Sequence, residues 1–94
     1  MDMQITFHQM DSSDAIKDYC HKKIDKLTKY YARIDSVKVV LEIVKLEHYV
    51  SVVLGLPQKT VIKADAHAKQ DMYAAIDAVA DKLERQLTDF KERH

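Results

Sequence analysis

The apolar residues of this chain recur at every second position in some stretches and at every third or fourth in others. The order of those stretches leaves few folds open, because alternation marks a half-buried strand and the longer period marks an amphipathic helix. Met3, Ile5 and Phe7 alternate with polar residues, so the chain opens with a short strand. Asp11-Ser12-Ser13-Asp14 supplies helix-capping side chains. From Ala15 the period lengthens, and Ile16, Tyr19, Cys20, Ile24, Leu27, Tyr30, Tyr31 and Ile34 share one face. This helix is expected to end near Arg33, before Asp35-Ser36. Residues 37–44 are rich in β-branched side chains and read as a strand. Residues 45–48 read as a turn, 49–56 as a strand, and Pro57-Gln58-Lys59 as a second turn. Alternation returns over 60–68, with Ile62, Ala64 and Ala66 inward. A last helix, from Gln70 to about Arg93, follows from the spacing of Met72, Ile76, Val79, Leu83, Leu87 and Phe90.

The expected order is therefore β-α-β-β-β-α, an α+β fold built as one domain over residues 1–94. Short turns make the last three strands an antiparallel meander. The first helix is long enough for a crossover, which sets the first strand parallel beside the second. Both helices must bury an apolar stripe, and packing both on one face of a four-stranded sheet does so most simply. The other face then carries Lys38, Glu42, Ser51, Lys63 and Asp65, with Val40, Val44 and Val53 among them.

Composition removes several classes of function. One Gly and one Pro in 94 residues argue against disorder or a long linker. The start lacks the basic and apolar regions of a secretory signal, and no apolar run reaches the roughly 20 residues that span a bilayer. A lone Cys20 forms no internal disulfide, so a reducing cytoplasm is the expected location, and its place on the apolar stripe makes it a small buried hydrophobe. The five histidines are scattered without metal-ligand spacing, and the chain has no Gly-rich phosphate loop, nucleophile elbow or CxxC. His67 beside Asp65 reads as ordinary strand-surface polarity. Tyr30, Tyr31 and Tyr73 read as core edges. The sequence thus implies a binding protein with no cofactor and no metal rather than an enzyme.

Lys plus Arg and Asp plus Glu number 15 each, so a nucleic-acid binder with this composition must segregate its charge. The first helix meets that demand. Lys22, Lys26, Lys29 and Arg33, spaced four, three and four apart, fall in one stripe at about 100° per residue. Lys23 adds a cation at the edge of the apolar face. Such a stripe suits a phosphate backbone, or it is a solvated face whose lysines favour the helix C-terminus. On the last helix Asp77, Asp81 and Glu84 form an acidic flank, with Lys82, Arg85, Gln86 and Arg93 toward the other side. Asp81–Arg85 and Asp89–Arg93 are spaced for i, i+4 ion pairs.

The run Gln70-Asp71-Met72-Tyr73-Ala74-Ala75-Ile76-Asp77, continued by Asp81-Lys82-Leu83-Glu84-Arg85-Gln86-Leu87, resembles the last helix of the ribosome hibernation-promoting factors. That family includes the ribosome-associated inhibitor once described as a sigma-54 modulation protein. Met3-Gln4-Ile5-Thr6, Lys23, Lys26-Leu27, Tyr30 and Arg33-Ile34 carry the resemblance across the rest of the chain. It implies a domain similar in shape to double-stranded-RNA-binding domains, which enters the small ribosomal subunit near the decoding site and binds ribosomal RNA there. Messenger and transfer RNA are then excluded, and the ribosome is held idle in starvation or stationary phase. The resemblance assigns RNA contacts to Lys23 and Lys26 on the first helix and Lys82 and Arg85 on the last. Lys22, Lys29 and Arg33 join them from the stripe. A chain ending at His94 resembles the short type, which implies paired ribosomes and a separate ribosome modulation factor as partner. Two other readings remain: a free double-stranded-RNA-binding module, and a protein-interaction domain using the sheet face with Val40, Val44 and Val53.

Overall fold

A computed structural model describes residues 2–93, and its elements follow the expected order. Strand β1 (Asp2–Phe7) precedes helix α1 (Asp14–Asp25) and a 3-10 segment (Lys26–Lys29). Strands β2 (Ser36–Val44), β3 (Glu47–Leu56) and β4 (Thr60–Ala68) follow, and helix α2 (Met72–Arg93) closes the chain. The sheet order is β1-β2-β3-β4, with β1 parallel to β2 and the remaining pairs antiparallel.

Alternation decides which face of the sheet is covered. Val37, Val39 and Leu41 on β2, Val50, Val52 and Leu54 on β3, and Ile62 and Ala66 on β4 are buried. They meet Cys20 and Ile24 of α1 and Ile76, Val79, Leu83 and Leu87 of α2 in one core cluster. The described residues include no buried polar or charged side chain. Burial at Cys20 pushes its thiol up to about 11, which keeps it protonated and unreactive at neutral pH. Each helix begins on a side-chain cap. The Ser13 hydroxyl accepts from the Ile16 N–H at 3.2 Å, and the Asp71 carboxylate accepts from the Ala74 N–H at 2.8 Å.

Two expectations need correction. The first helix does not reach Arg33: α1 ends at Asp25 and tightens into the 3-10 segment. The Thr28 hydroxyl donates to the Asp25 carbonyl at 2.8 Å, and the N–H groups of Tyr30 and Tyr31 converge on the Leu27 carbonyl. Such side-chain bonds compete with the helical ladder. Tyr30 and Tyr31 still pack against the core and Ile34 is buried, so the apolar pattern imitates a longer helix. The turn expected over 45–48 shrinks to Lys45-Leu46, because Val44 pairs with Glu47 and Ile43 with His48. Lys45 and Leu46 both take positive φ, the geometry that matches strand twist in a two-residue hairpin. His67, read as ordinary strand-surface polarity, is exposed and meets Glu47 at 3.4 Å, while Asp65 accepts from the Tyr49 hydroxyl at 3.1 Å. Both contacts run diagonally between β3 and β4, where Tyr49 stands opposite His67 and Ser51 opposite Asp65, a separation that long side chains bridge.

The lone glycine serves no turn. Gly55 lies in β3 opposite Ser36, where an added Cβ would come 2.4 Å from the Ser36 hydroxyl oxygen. The turns instead use Gln9, Lys45, Leu46, Gln58 and Lys59 at positive φ.

Candidate nucleic-acid interface

Helices α1 and α2 lie side by side on the sheet and run in the same direction. Tyr19 meets Tyr73 edge-to-face near their starts, with ring centroids 5.0 Å apart, and Tyr31 meets Phe90 at 5.4 Å near their ends. The last turns carry Lys22 and Lys23 on α1 and Lys91 and Arg93 on α2. Cations there complement the negative ends of the helix dipoles, which stabilises their concentration at one end of the molecule.

The structure settles which flank of α2 faces which neighbour. Its acidic flank turns toward α1. Asp77 accepts from the Tyr19 hydroxyl at 2.6 Å and pairs with the Lys23 ammonium at 3.2 Å. Lys23 also stands 5.6 Å from the Tyr19 ring centroid, within cation–π range. The bond to Asp77 raises the pKa values of both Lys23 and Tyr19. Partial burial pushes the Asp77 carboxyl up, but the Tyr19 and Lys23 hydrogen bonds outweigh it, and the net shift is downward. Two turns further along α2, a hydrogen bond to Glu84 raises the pKa of Tyr30.

The other flank of α2 lies along β4, the edge strand of the sheet. The Lys82 ammonium donates to the Asp65 carbonyl at 2.7 Å, and the Gln86 amide donates to the Lys63 carbonyl at 2.9 Å. The spacings match: four helical residues rise about 6.0 Å and two strand residues about 6.6 Å. These donors occupy carbonyls that an open sheet edge would otherwise present to another chain. Among the described residues, the ion pairs are His8–Glu42, Lys23–Asp77 and His67–Glu47. Neither Asp81–Arg85 nor Asp89–Arg93 closes.

The seven candidate residues therefore fall into two sets. Lys22, Lys26, Lys29, Arg33 and Arg85 are exposed, and none has an ion-pair partner among the described residues. Lys22 projects from α1. Lys26 and Lys29 stand three apart on the 3-10 segment, where side chains at that spacing eclipse. Arg33 follows in the connection to β2, so its place in the row no longer rests on helical periodicity. Lys23 and Lys82 form the second set, each engaged by a group of the protein itself. Asp77 was legible only as part of an acidic flank. Its role in holding Lys23 and Tyr19 depends on helix packing across 58 residues of sequence.

Comparison with known proteins follows the same chain almost end to end. A profile described as "Sigma 54 modulation protein / S30EA ribosomal protein" matches residues 3–94. The ribosome hibernation promoting factor of Azotobacter vinelandii is 41% identical over 93 residues, covering 99% of this chain and 85% of that protein. Its counterpart in Escherichia coli strain K12 is 39% identical, with 99% and 96% covered. A ribosomal subunit interface protein from Coxiella burnetii superposes with a TM-score of 0.90 at 30% identity, covering 98% of this chain and 99% of that one. The N-terminal domain of Thermus thermophilus Protein Y gives 0.85, also at 30% identity, with 96% and 99% covered.

Proposed function

The chain belongs to the sigma 54 modulation protein / S30EA ribosomal protein family, and from that premise we propose that it is a ribosome hibernation factor that binds the small subunit through ribosomal RNA near the decoding site. Bound there, it denies messenger and transfer RNA their place and holds the ribosome dormant during stress or stationary phase. With a separate small modulation factor it favours paired ribosomes.

The observation that carries this reading is the exposed row of Lys22, Lys26 and Lys29, with Arg33 beyond it and Arg85 on the neighbouring helix. These cations have no ion-pair partner within the described residues, so they are available to an external anion. In folded RNA the groove geometry and phosphates guide recognition more than base edges do. Each phosphate neutralised releases condensed counterions, which makes affinity fall steeply with salt. Lys23 and Lys82 join the contact with their remaining donors, since an ammonium carries three.

The experiment is sedimentation of the protein with purified bacterial ribosomes through sucrose gradients across a salt series. Co-migration with the small subunit at low salt and loss at high salt is expected. Protein that stays at the top of the gradient yet shifts bare RNA duplexes would instead favour the free RNA-binding module.

A further inference from the structure

The sheet face away from the helices is not uniform. Row by row across the strands, Lys38, Val53 and Lys63 lie together toward one end. Toward the β2–β3 hairpin, Glu42, Tyr49 and His67 lie together, with Val44 and Glu47 beyond them. Here the face sinks into a depression of about 380 Å³ lined by Glu42, Val44, Lys45, Glu47, Tyr49 and His67. Among the described residues its carboxylates pair only with histidines: Glu42 lies 3.0 Å from His8 Nδ1, and Glu47 lies 3.4 Å from His67 Nδ1. Asp65 adds a third carboxylate, bound to the Tyr49 hydroxyl. Lys45 is the one cation on the lining.

Beside this acidic and aromatic hollow the hairpin projects apolar surface. Leu46 is 91% exposed and Val44 41%. Leu46 sits at φ 66 and Lys45 at φ 51, a left-handed pair that side-chain-bearing residues adopt at some cost. The fold therefore presents a leucine at the tip of a tight turn, with no core to receive it.

We infer that this end of the sheet docks a basic polypeptide segment of a protein partner. A guanidinium or ammonium sits over Tyr49 between Glu42 and Glu47, and a neighbouring apolar side chain rests on Val44 and Leu46. The carboxylates that attract such a segment repel phosphate, so RNA is excluded as occupant. The proposal uses the face opposite the exposed lysine row and does not depend on RNA binding.

The test is NMR titration of the ¹⁵N-labelled protein with a five-residue peptide alternating arginine and leucine, and with its glutamate–leucine counterpart. The arginine peptide is expected to move amide signals of residues 42–49 and 65–67, and the glutamate peptide to move none of them. The E42Q/E47Q variant, which keeps shape and hydrogen bonding, is expected to weaken the arginine peptide about tenfold. Leu46→Ser, at an exposed tip that the fold can tolerate, is expected to weaken it separately. Equal binding by E42Q/E47Q, or no movement at all, overturns the proposal. So does concentration-dependent movement of the same signals without peptide, which would assign the face to a second copy.

Discussion

Lys22, Lys26 and Lys29 project into solvent with no ion-pair partner among the described residues, whereas Lys82 on α2 lies against the β4 edge and Lys23 is held by Asp77. All five are lysines at helical spacing. What separates them is the neighbour each helix flank acquires on packing. The acidic flank of α2 docks against α1, so Asp77 removes Lys23 from the free row and leaves the others unmatched. Whether the fold already supplies an oxygen thus separates the free cations from the engaged ones.

That contrast presumes that burial, and not the charge on either flank, holds α2 in place. Leu83→Ala tests the premise with the largest expected effect. Leu83 is fully buried beneath α2, and its truncation is expected to cost about 2–5 kcal/mol in urea unfolding. A loss below about 1 kcal/mol would shift the weight to the flanks. Next in size is K82A/Q86A, which removes both donors from the β4 edge. A loss of about 1 kcal/mol is expected, with faster amide exchange confined to β4 and the adjacent flank of α2. Exchange that quickens equally at β1 would show that these contacts do not act locally.

The smallest expected effect belongs to Asp77→Asn. The Asp77 carboxyl titrates below its ordinary value of 3.8 in the folded protein, so its contribution is complete above that value and fades as pH falls through the lower folded one. Lys23 is 31% and Asp77 47% exposed, which limits the loss at neutral pH to under about 1 kcal/mol. The variant should flatten the stability profile below pH 3.8 and free Lys23, strengthening ribosome binding modestly. An unchanged acid limb would mean that the Asp77 contacts persist when it is protonated.

Much of this was legible beforehand, for definite reasons. Strands and helices bury stripes of different period, so the order β-α-β-β-β-α, the parallel β1–β2 pair and both helices on one face followed from apolar spacing. The end of α1 was not legible, because Tyr30, Tyr31 and Ile34 stay inward whether the chain is helical or tightly turned. Nor was the two-residue hairpin, since Lys45-Leu46 carries none of the Asn or Gly that marks such turns. The exposed lysine row needed only local spacing. The engagement of Lys23 and Lys82 needed the orientation of α2, which rests on contacts 54 residues away at Asp77 and on the edge of β4.

Contact between the free row on the α1 side and ribosomal phosphates is read out by affinity for purified small subunits against salt. The wild type is compared with K22A/K26A/K29A, whose fold is checked by circular dichroism. Weaker binding by the triple variant is expected, with a log–log salt slope shallower by about three, one for each phosphate contact removed. A triple variant that binds with unchanged affinity and an unchanged slope would contradict that contact.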